Sequence, residues 1–309
     1  MDLLVGSTGF VGSNLAAAHP FGASFHSTDI EQAYGLRPDL CVYAGVRAEK
    51  YLALKDPQAD LAGIHAAIRN IERIAPKRLV LISTIDVYPE PYRVDETTVI
   101  RPGTHPYGAD RFLLEQWVKE HLREYLIVRL PGLFGAKLKK NFLYDLIRVV
   151  PGMLSAEKFA ELSARSALLK SSYAPLPNGF YRLTAPESTI AELKREFESL
   201  GFTALNFTDS RSVFQFYNLA CLWDHIRRAL EQNIPLLNLA VEPLPAGEIF
   251  RAVRGRSFRN ELDAKPLFYD ARSVYAERLG GRNGYLFDRN RVLREIVSFV
   301  RSEEERIGS

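Results

Sequence analysis

Along the N-terminal half of the chain, short apolar runs alternate with stretches whose apolar positions recur at helical spacing, the order of a parallel sheet covered by helices. Leu3 to Val5, Ala23 to His26, Asp39 to Ala44, Arg78 to Ser83 and Tyr125 to Leu130 read as strands. Val11 to Ala18, Ala59 to Ile74 and Phe112 to His121 read as helices. Too few residues separate the second strand from Asp39 for a full helix-strand-helix excursion, so the sheet is predicted to be trimmed there. From Lys137 to Arg211 the pattern becomes helical, with Phe142 to Val149 and Ile190 to Leu200 as helices and Tyr173 to Gly179 as a turn-rich segment. The helical run Leu219 to Leu230 and the strand-like Leu236 to Leu239 then bring the chain back to the sheet. Arg289 to Arg306 carries Val292, Leu293, Ile296, Val297 and Val300 on one helical stripe, the signature of an amphipathic packing helix.

Composition narrows the class without changing this picture. A chain of 309 residues exceeds the usual reach of one hydrophobic core, so two lobes are expected. Residues 1–136, rejoined by about 212–240, form the first; 137–211 and 241–309 form the second. Apolar content of 47% and charge of 25% are those of a globular protein, and no apolar run approaches the roughly 18 residues of a membrane span. Met1 is followed at once by Asp2 and a strand, without a leader-like basic and apolar stretch, so the expected compartment is the cytoplasm. Cys41 and Cys221 stand apart and the six histidines are scattered, so no metal site is proposed from spacing. The net charge of +3 is spread without a basic block, which gives no footprint for nucleic acid.

Residues 6 to 14 read G-S-T-G-F-V-G-S-N, between a strand and a helix. Glycines there let backbone amides approach a pyrophosphate, and the helix N-terminus adds unsatisfied N–H groups and partial positive charge. The turn residues Gly6, Thr8, Gly9, Phe10, Val11 and Gly12 are therefore candidates to bind a dinucleotide, and the fold class becomes α/β with a Rossmann-like doubly wound parallel sheet, shortened after the second strand, beside a smaller mixed substrate-binding lobe. Asp29 lies just past the second strand, where a carboxylate accepts from adenosine ribose hydroxyls and repels a 2'-phosphate. Ser27 and Thr28 precede it and could host that phosphate, so NAD is favoured and NADP stays open.

Further along, 81 to 88 read L-I-S-T-I-D-V-Y and 106 to 116 read P-Y-G-A-D-R-F-L-L-E-Q. With the glycine turn, the strand D-L-C-V-Y-A-G and the segment V-R-L-P-G-L-F-G, these motifs resemble, in order, the extended short-chain dehydrogenase/reductases, a family of NAD-dependent sugar-nucleotide epimerases, dehydratases and reductases. The resemblance covers about the first 135 residues. It implies Tyr107 as general acid/base, Thr84 as hydrogen-bond partner of the same substrate oxygen, and Ala44, Tyr107 and Arg111 as part of the cofactor wall. A phenol with pKa about 10 needs a nearby cation to serve as a base at neutral pH. The family supplies a lysine four residues after the tyrosine; here Arg111 stands there, as expected cofactor anchor and tuner of the phenol. Dehydratases of the family carry adjacent acids after Ser-Thr, where this chain has Ile85 and Asp86, which demotes dehydration below epimerisation or ketone reduction and leaves Asp86 as a second acid/base, a substrate contact or a solvated strand-end carboxylate.

Beyond Gly135 the resemblance thins. It points to Asn141 and Arg211 as contacts to the diphosphate of a nucleotide sugar, with a helix N-cap and a surface charge as their alternatives. Gly132 replaces a side chain that often contacts substrate in relatives. The implied function is an NAD(P)-dependent oxidoreductase or epimerase acting on a nucleotide-linked or otherwise activated sugar; the rival is a non-catalytic dinucleotide-binding regulator or scaffold of the same fold. The resemblance also implies a homodimer through the helices after Ala59 and Phe112.

Overall fold

The computed structural model describes the chain except Pro102, Thr104 and Ser309. Six parallel strands form the main sheet: β1 (Asp2–Val5), β2 (Ala23–Phe25), β3 (Leu40–Tyr43), β4 (Arg78–Thr84), β5 (Tyr125–Leu130) and β6 (Leu236–Asn238), in the spatial order β2-β1-β3-β4-β5-β6. Every neighbouring pair in this sheet is parallel. Where a longer doubly wound sheet has another helix-strand unit, the chain makes one helical turn, Ile30–Ala33, and goes straight to β3. The predicted trimming is thus present. The chain reverses direction across the sheet between β1 and β3, the topological switch point at which such folds open a crevice beyond the strand ends.

Helices α1 (Phe10–Ala18), α2 (Lys50–Lys55), α3 (Pro57–Ile74), α4 (Pro106–His121) and α5 (Leu222–Glu231) accompany the sheet. Alternate strand residues Leu3, Val5, Cys41, Tyr43, Leu79, Leu81 and Ile127 pack with Ile64, Ala67, Ile71 and Ile74 of α3 and with Leu114 and Val118 of α4. The intervening Leu4, Val42, Val80 and Leu126 are fully buried as well, which a parallel sheet achieves only with both faces covered. Each such Leu or Ile contributes about 1.5–3 kcal/mol by leaving water. Helix α3 starts cleanly because Asp56 accepts the Ala59 N–H and Pro57 occupies the first position. The stripe predicted on the last helix, Arg289–Gly308, is observed: Val292, Ile296 and Val300 are buried, while Arg291, Arg294 and Ser298 are exposed.

Two compact units result, 1–138 with 214–244 and 268–292, and 139–213 with 245–267 and 293–309. Residues 268–292 therefore belong with the sheet and not with the smaller lobe to which the sequence pattern assigned them. Their ties are specific and not periodic: Gln215 donates to Val241 and Ala271 and accepts from the Ala271 N–H, and Glu96 accepts from Asn238, Ser273 and Val274. The second unit carries a three-stranded antiparallel sheet of Met153–Ser155, Phe180–Leu183 and Tyr173–Pro175. The segment read as turn-rich from Tyr173 thus begins as a strand, because Tyr173 joins Leu154, Leu162, Leu169, Ile190, Leu193 and Phe197 in that unit's core.

Helix α5 buries His225, whose Nδ1 lies 2.6 Å from the Tyr217 hydroxyl. Burial, reinforced by Arg228, lowers its pKa from 6.5 to about 4. Between these values the unfolded chain binds a proton that the folded one does not, so stability should fall as pH drops from about 6.5 to about 4, by on the order of 3 kcal/mol at most. Urea unfolding across that window should show the loss, and His225→Asn should flatten it; an equal slope in the variant would assign the acid sensitivity elsewhere.

Candidate functional site

At the end of β1 the backbone turns through Gly6, whose φ of +88° is open to glycine at little cost. A side chain there would also meet the Ala44 carbonyl oxygen at 2.5 Å. The Gly6 N–H donates to Phe25 O at 2.7 Å, and the Gly9 N–H closes the turn on Gly6 O at 3.0 Å. A Cβ at Gly12 would lie 2.1 Å from Gly6 O, so the first turn of α1 rests directly on the backbone of the loop. Gly6 and Gly12 are thus steric requirements, while Thr8 and Gly9 are exposed and Phe10, Val11 and Ala44 half-buried around them. The turn leaves the α1 N-terminal amides at the switch point, as an anion-binding cradle requires.

Asp29 folds back over the end of β2. Its Oδ1 accepts the His26 N–H at 2.7 Å and its Oδ2 lies 3.3 Å from His26 Nε2, while His26 Nδ1 is 2.9 Å from the Thr28 hydroxyl. The carboxylate is therefore fixed in orientation and keeps lone pairs for a further donor.

β4 ends at Thr84. Its hydroxyl accepts the Asp86 N–H at 3.2 Å and donates to Asp86 Oδ2 at 3.1 Å, starting the helical turn Ile85–Val87. The N-terminus of α4 packs on that turn: a Cβ at Gly108 would lie 2.1 Å from Asp86 O. The glycine in P-Y-G thereby fixes Tyr107 beside the Thr84–Asp86 corner. Tyr107 is 5% exposed. Burial raises its pKa; Arg111 and Lys50 oppose the rise, and Asp86 and Asp60 add to it.

Arg111, one turn along α4, is engaged by three neighbours. Its guanidinium lies 4.0 Å from the centroid of the Tyr107 ring and donates to the Asp60 carboxylate and the Arg47 carbonyl. Its Nε is buried without a hydrogen-bond partner among the described residues. Beside it, burial and the neighbouring Asp60 carboxyl raise Asp110 to about 6.

A second cation, not singled out in the sequence, stands at the same corner. Lys50, the first residue of α2, places Nζ 2.6 Å from Asp86 Oδ1 and 3.2 Å from the Tyr269 hydroxyl. Burial works against its charge, and Asp86 and Tyr269 more than offset this, so its pKa lies above the ordinary lysine value. Burial, then Asp86, raises that of Tyr269. Thr84, Asp86, Tyr107, Arg111, Lys50 and Tyr269 all belong to the first unit.

Asn141 and Arg211 belong to the second unit. Asn141 is a helix cap: its side-chain oxygen accepts from Leu143 and Tyr144 at 3.0 and 3.1 Å. Arg211 is committed within its own unit, donating through Nε and Nη2 to the buried Asp209 at 3.0 and 2.7 Å and through Nη1 to Glu261 at 2.9 Å. Its fork, which suits phosphate, is filled by carboxylate. Gly132 has a steric reason of its own, since a Cβ there would meet Gln215 O at 2.6 Å.

A doubly wound parallel sheet of six strands with a glycine turn at its switch point defines a Rossmann-like α/β fold. The chain shares that fold with dTDP-4-dehydrorhamnose reductase from Bacillus anthracis str. Ames in complex with NADP, at 14% identity over 97% of each chain and a TM-score of 0.63. UDP-glucose 4-epimerase from Thermotoga maritima with UDP-glucose matches at 12% identity over 99% of each chain, TM-score 0.61. A short-chain dehydrogenase/reductase superfamily protein from Agrobacterium tumefaciens with bound NAD matches at 18% identity over 99% of each chain, TM-score 0.56. No family model and no curated protein sequence matches the chain. No helix among the described residues is long and apolar enough to cross a membrane, and none of their His, Cys, Asp and Glu side chains cluster as a metal site would require.

Proposed function

We propose that the chain is an oxidoreductase or epimerase that binds NAD or NADP on the glycine turn and acts on a nucleotide-linked sugar. The observation that carries the reading is the corner at which Gly108 seats Tyr107 against the Thr84–Asp86 turn, at the end of β4, the strand next to β3. The cradle fits the dinucleotide: Gly6 and Gly12 leave backbone where any Cβ would collide, and Asp29 stands at the end of the next strand. The nicotinamide, when bound, accepts or returns hydride. Tyr107 holds the proton exchanged with the substrate oxygen at its hydroxyl, and the Thr84 hydroxyl orients the same oxygen while Asp86 accepts its hydrogen bond. Asn141 and Arg211 remain in this reading as contacts to the diphosphate, Arg211 only by exchanging its Glu261 partner for phosphate. Ala44 and Arg111 border the cofactor side, and the site is that of a cytoplasmic enzyme without nucleic-acid or membrane partners, working as a homodimer.

The neighbours' bound NADP, NAD and UDP-glucose support this substrate and cofactor class. One observation favours the rival reading of a non-catalytic dinucleotide sensor: Arg111 is spent on Asp60 and Arg47. A thermal-shift panel of nucleotide sugars with each dinucleotide tests the proposal, because a ligand that binds only the folded state stabilises it. Stabilisation by a nucleotide sugar together with NAD or NADP, followed by a change in nicotinamide absorbance, is the expected result. Dinucleotide binding without any sugar effect or turnover would leave the sensor.

Asp29 sets the choice of dinucleotide in this reading. Asp29→Ala should shift the NADP-to-NAD affinity ratio toward NADP by about tenfold, or about 1.4 kcal/mol, by removing charge repulsion and a ribose acceptor together. Parallel fluorescence titrations measure the ratio; an unchanged value would remove Asp29 from the cofactor site.

A further inference from the structure

Two cations approach Tyr107, and they differ in what they are free to do. Arg111 is 5% exposed and bound to Asp60, itself 12% exposed, so its charge is shared with a half-buried carboxylate. Lys50 is 45% exposed at its side chain and holds Asp86 from a separate helix. Its ammonium also reaches the Tyr269 hydroxyl, with Nζ 5.6 Å from that ring's centroid. Asp86 in turn holds the Thr84 hydroxyl. A continuous chain of hydrogen bonds therefore runs from Tyr269 through Lys50 and Asp86 to Thr84, the residue beside Tyr107.

We propose that Lys50 is the positioning cation of this site: it offsets the Asp86 charge beside Tyr107 and orients the Thr84–Asp86 corner, the task that the resemblance assigns to position 111. The inference rests on the reading of Tyr107 as the proton carrier. The charged and titratable groups around Tyr107 are Arg111 on its own helix, Asp60 on α3, Asp86 after β4, and Lys50 on α2, with Tyr269 beyond Lys50. Arg111 and Asp60 oppose one another there. Removing Lys50 leaves Asp86 uncompensated, and a bare carboxylate near a phenol disfavours the phenolate. Lys50 acts through Asp86 and Thr84 and does not itself transfer the proton.

The test reads the phenol directly and needs neither cofactor nor turnover. A difluorinated tyrosine is incorporated at Tyr107, whose ionisation is then followed by fluorine NMR in five backgrounds: wild type, Lys50→Met, Lys50→Arg, Asp86→Asn and the Lys50→Met/Asp86→Asn double variant. Lys50→Met should raise the pKa at position 107 by about one unit, a roughly tenfold loss of phenolate at a fixed pH below it. Lys50→Met with Asp86→Asn should return it toward wild type, because the charge that Lys50 offsets is gone, and Lys50→Arg should retain the wild-type value. An unchanged pKa in Lys50→Met, or a rise that persists in the double variant, overturns the proposal, since a merely structural lysine would not be rescued by removing a carboxylate. Absence of dinucleotide binding in wild type would sink the proposed function while leaving this titration to decide Lys50 separately.

Discussion

Tyr107→Phe is expected to lower turnover by about a thousandfold, within the range that a positioned proton donor contributes, while leaving dinucleotide affinity within about twofold. The phenol is the one group at the Thr84–Asp86 corner that exchanges a proton with substrate in the proposed reaction, and phenylalanine keeps the ring on which the Arg111 guanidinium lies at 4.0 Å. The glycine turn is untouched, so binding of the dinucleotide should survive. Steady-state rates beside fluorescence titrations separate the two effects. Equal losses in both would mean that the hydroxyl supports the fold, and no loss of rate would mean that another group carries the proton.

Glu115→Ala should cost about 3–5 kcal/mol of stability, the range for breaking a buried ion pair and leaving its partner uncompensated. Glu115 is fully buried; it accepts from the Ser83 hydroxyl at 2.6 Å and from Arg129 Nε and Nη2 at 3.0 and 2.5 Å. Arg129 is 1% exposed and donates onward to the Tyr88 hydroxyl at 2.7 Å, and Tyr88 donates to Asp95 O. This network ties α4 to β4 and β5 directly behind the Thr84–Tyr107 corner, so the variant should lose the geometry of the site as well as stability. Set against the 5–15 kcal/mol of a typical domain, the loss is a large share. Chemical denaturation of the variant measures it, and Glu115→Leu with Arg129→Met should recover much of the deficit because neither charge is then stranded. A single variant as stable as wild type would show that the pair carries no net weight.

The parts of this architecture that were legible in the sequence are those set by backbone geometry and by period. Gly6 and Gly12 are demanded by close approach to Ala44 and to Gly6 itself, and such demands survive in any sequence that makes the turn. The burial of β1, β3, β4 and β5 on both faces of the sheet shows as short continuous apolar runs. The E-Q after P-Y-G was legible as a motif, but its reason was not: Glu115 faces Arg129, fourteen residues on in sequence and on the next strand. Helix α2 was not legible, because K-Y-L-A-L-K is one and a half turns with Tyr51, Leu52 and Leu54 exposed, so no apolar stripe announces it. Lys50 was missed with it, and the partner that marks it, Tyr269, lies far away in the chain.

Arg211 shows the converse limit. An arginine between two serines reads equally as a phosphate fork or as half of a carboxylate pair, and the deciding residues, Asp209 and Glu261, include one fifty positions away. Asn141 likewise reads as a contact or a cap, and its φ of 114° with two accepted amide bonds gives it the capping role whatever else it does. Residues 268–292 carry no period at all. They join the sheet unit through Gln215, Glu96 and the pairing of Asp270 with Tyr92, contacts that only the folded chain brings together.

The central claim is that the glycine turn binds a nicotinamide dinucleotide, and calorimetric titration of NAD and of NADP into the wild-type protein and into Gly12→Val tests it most directly. The account predicts saturable binding of at least one dinucleotide to the wild type, with NAD the tighter, and its loss in the variant, whose side chain would displace Gly6 from the cradle. Failure of both dinucleotides to bind the folded wild-type protein, or undiminished binding in a folded Gly12→Val, would contradict it.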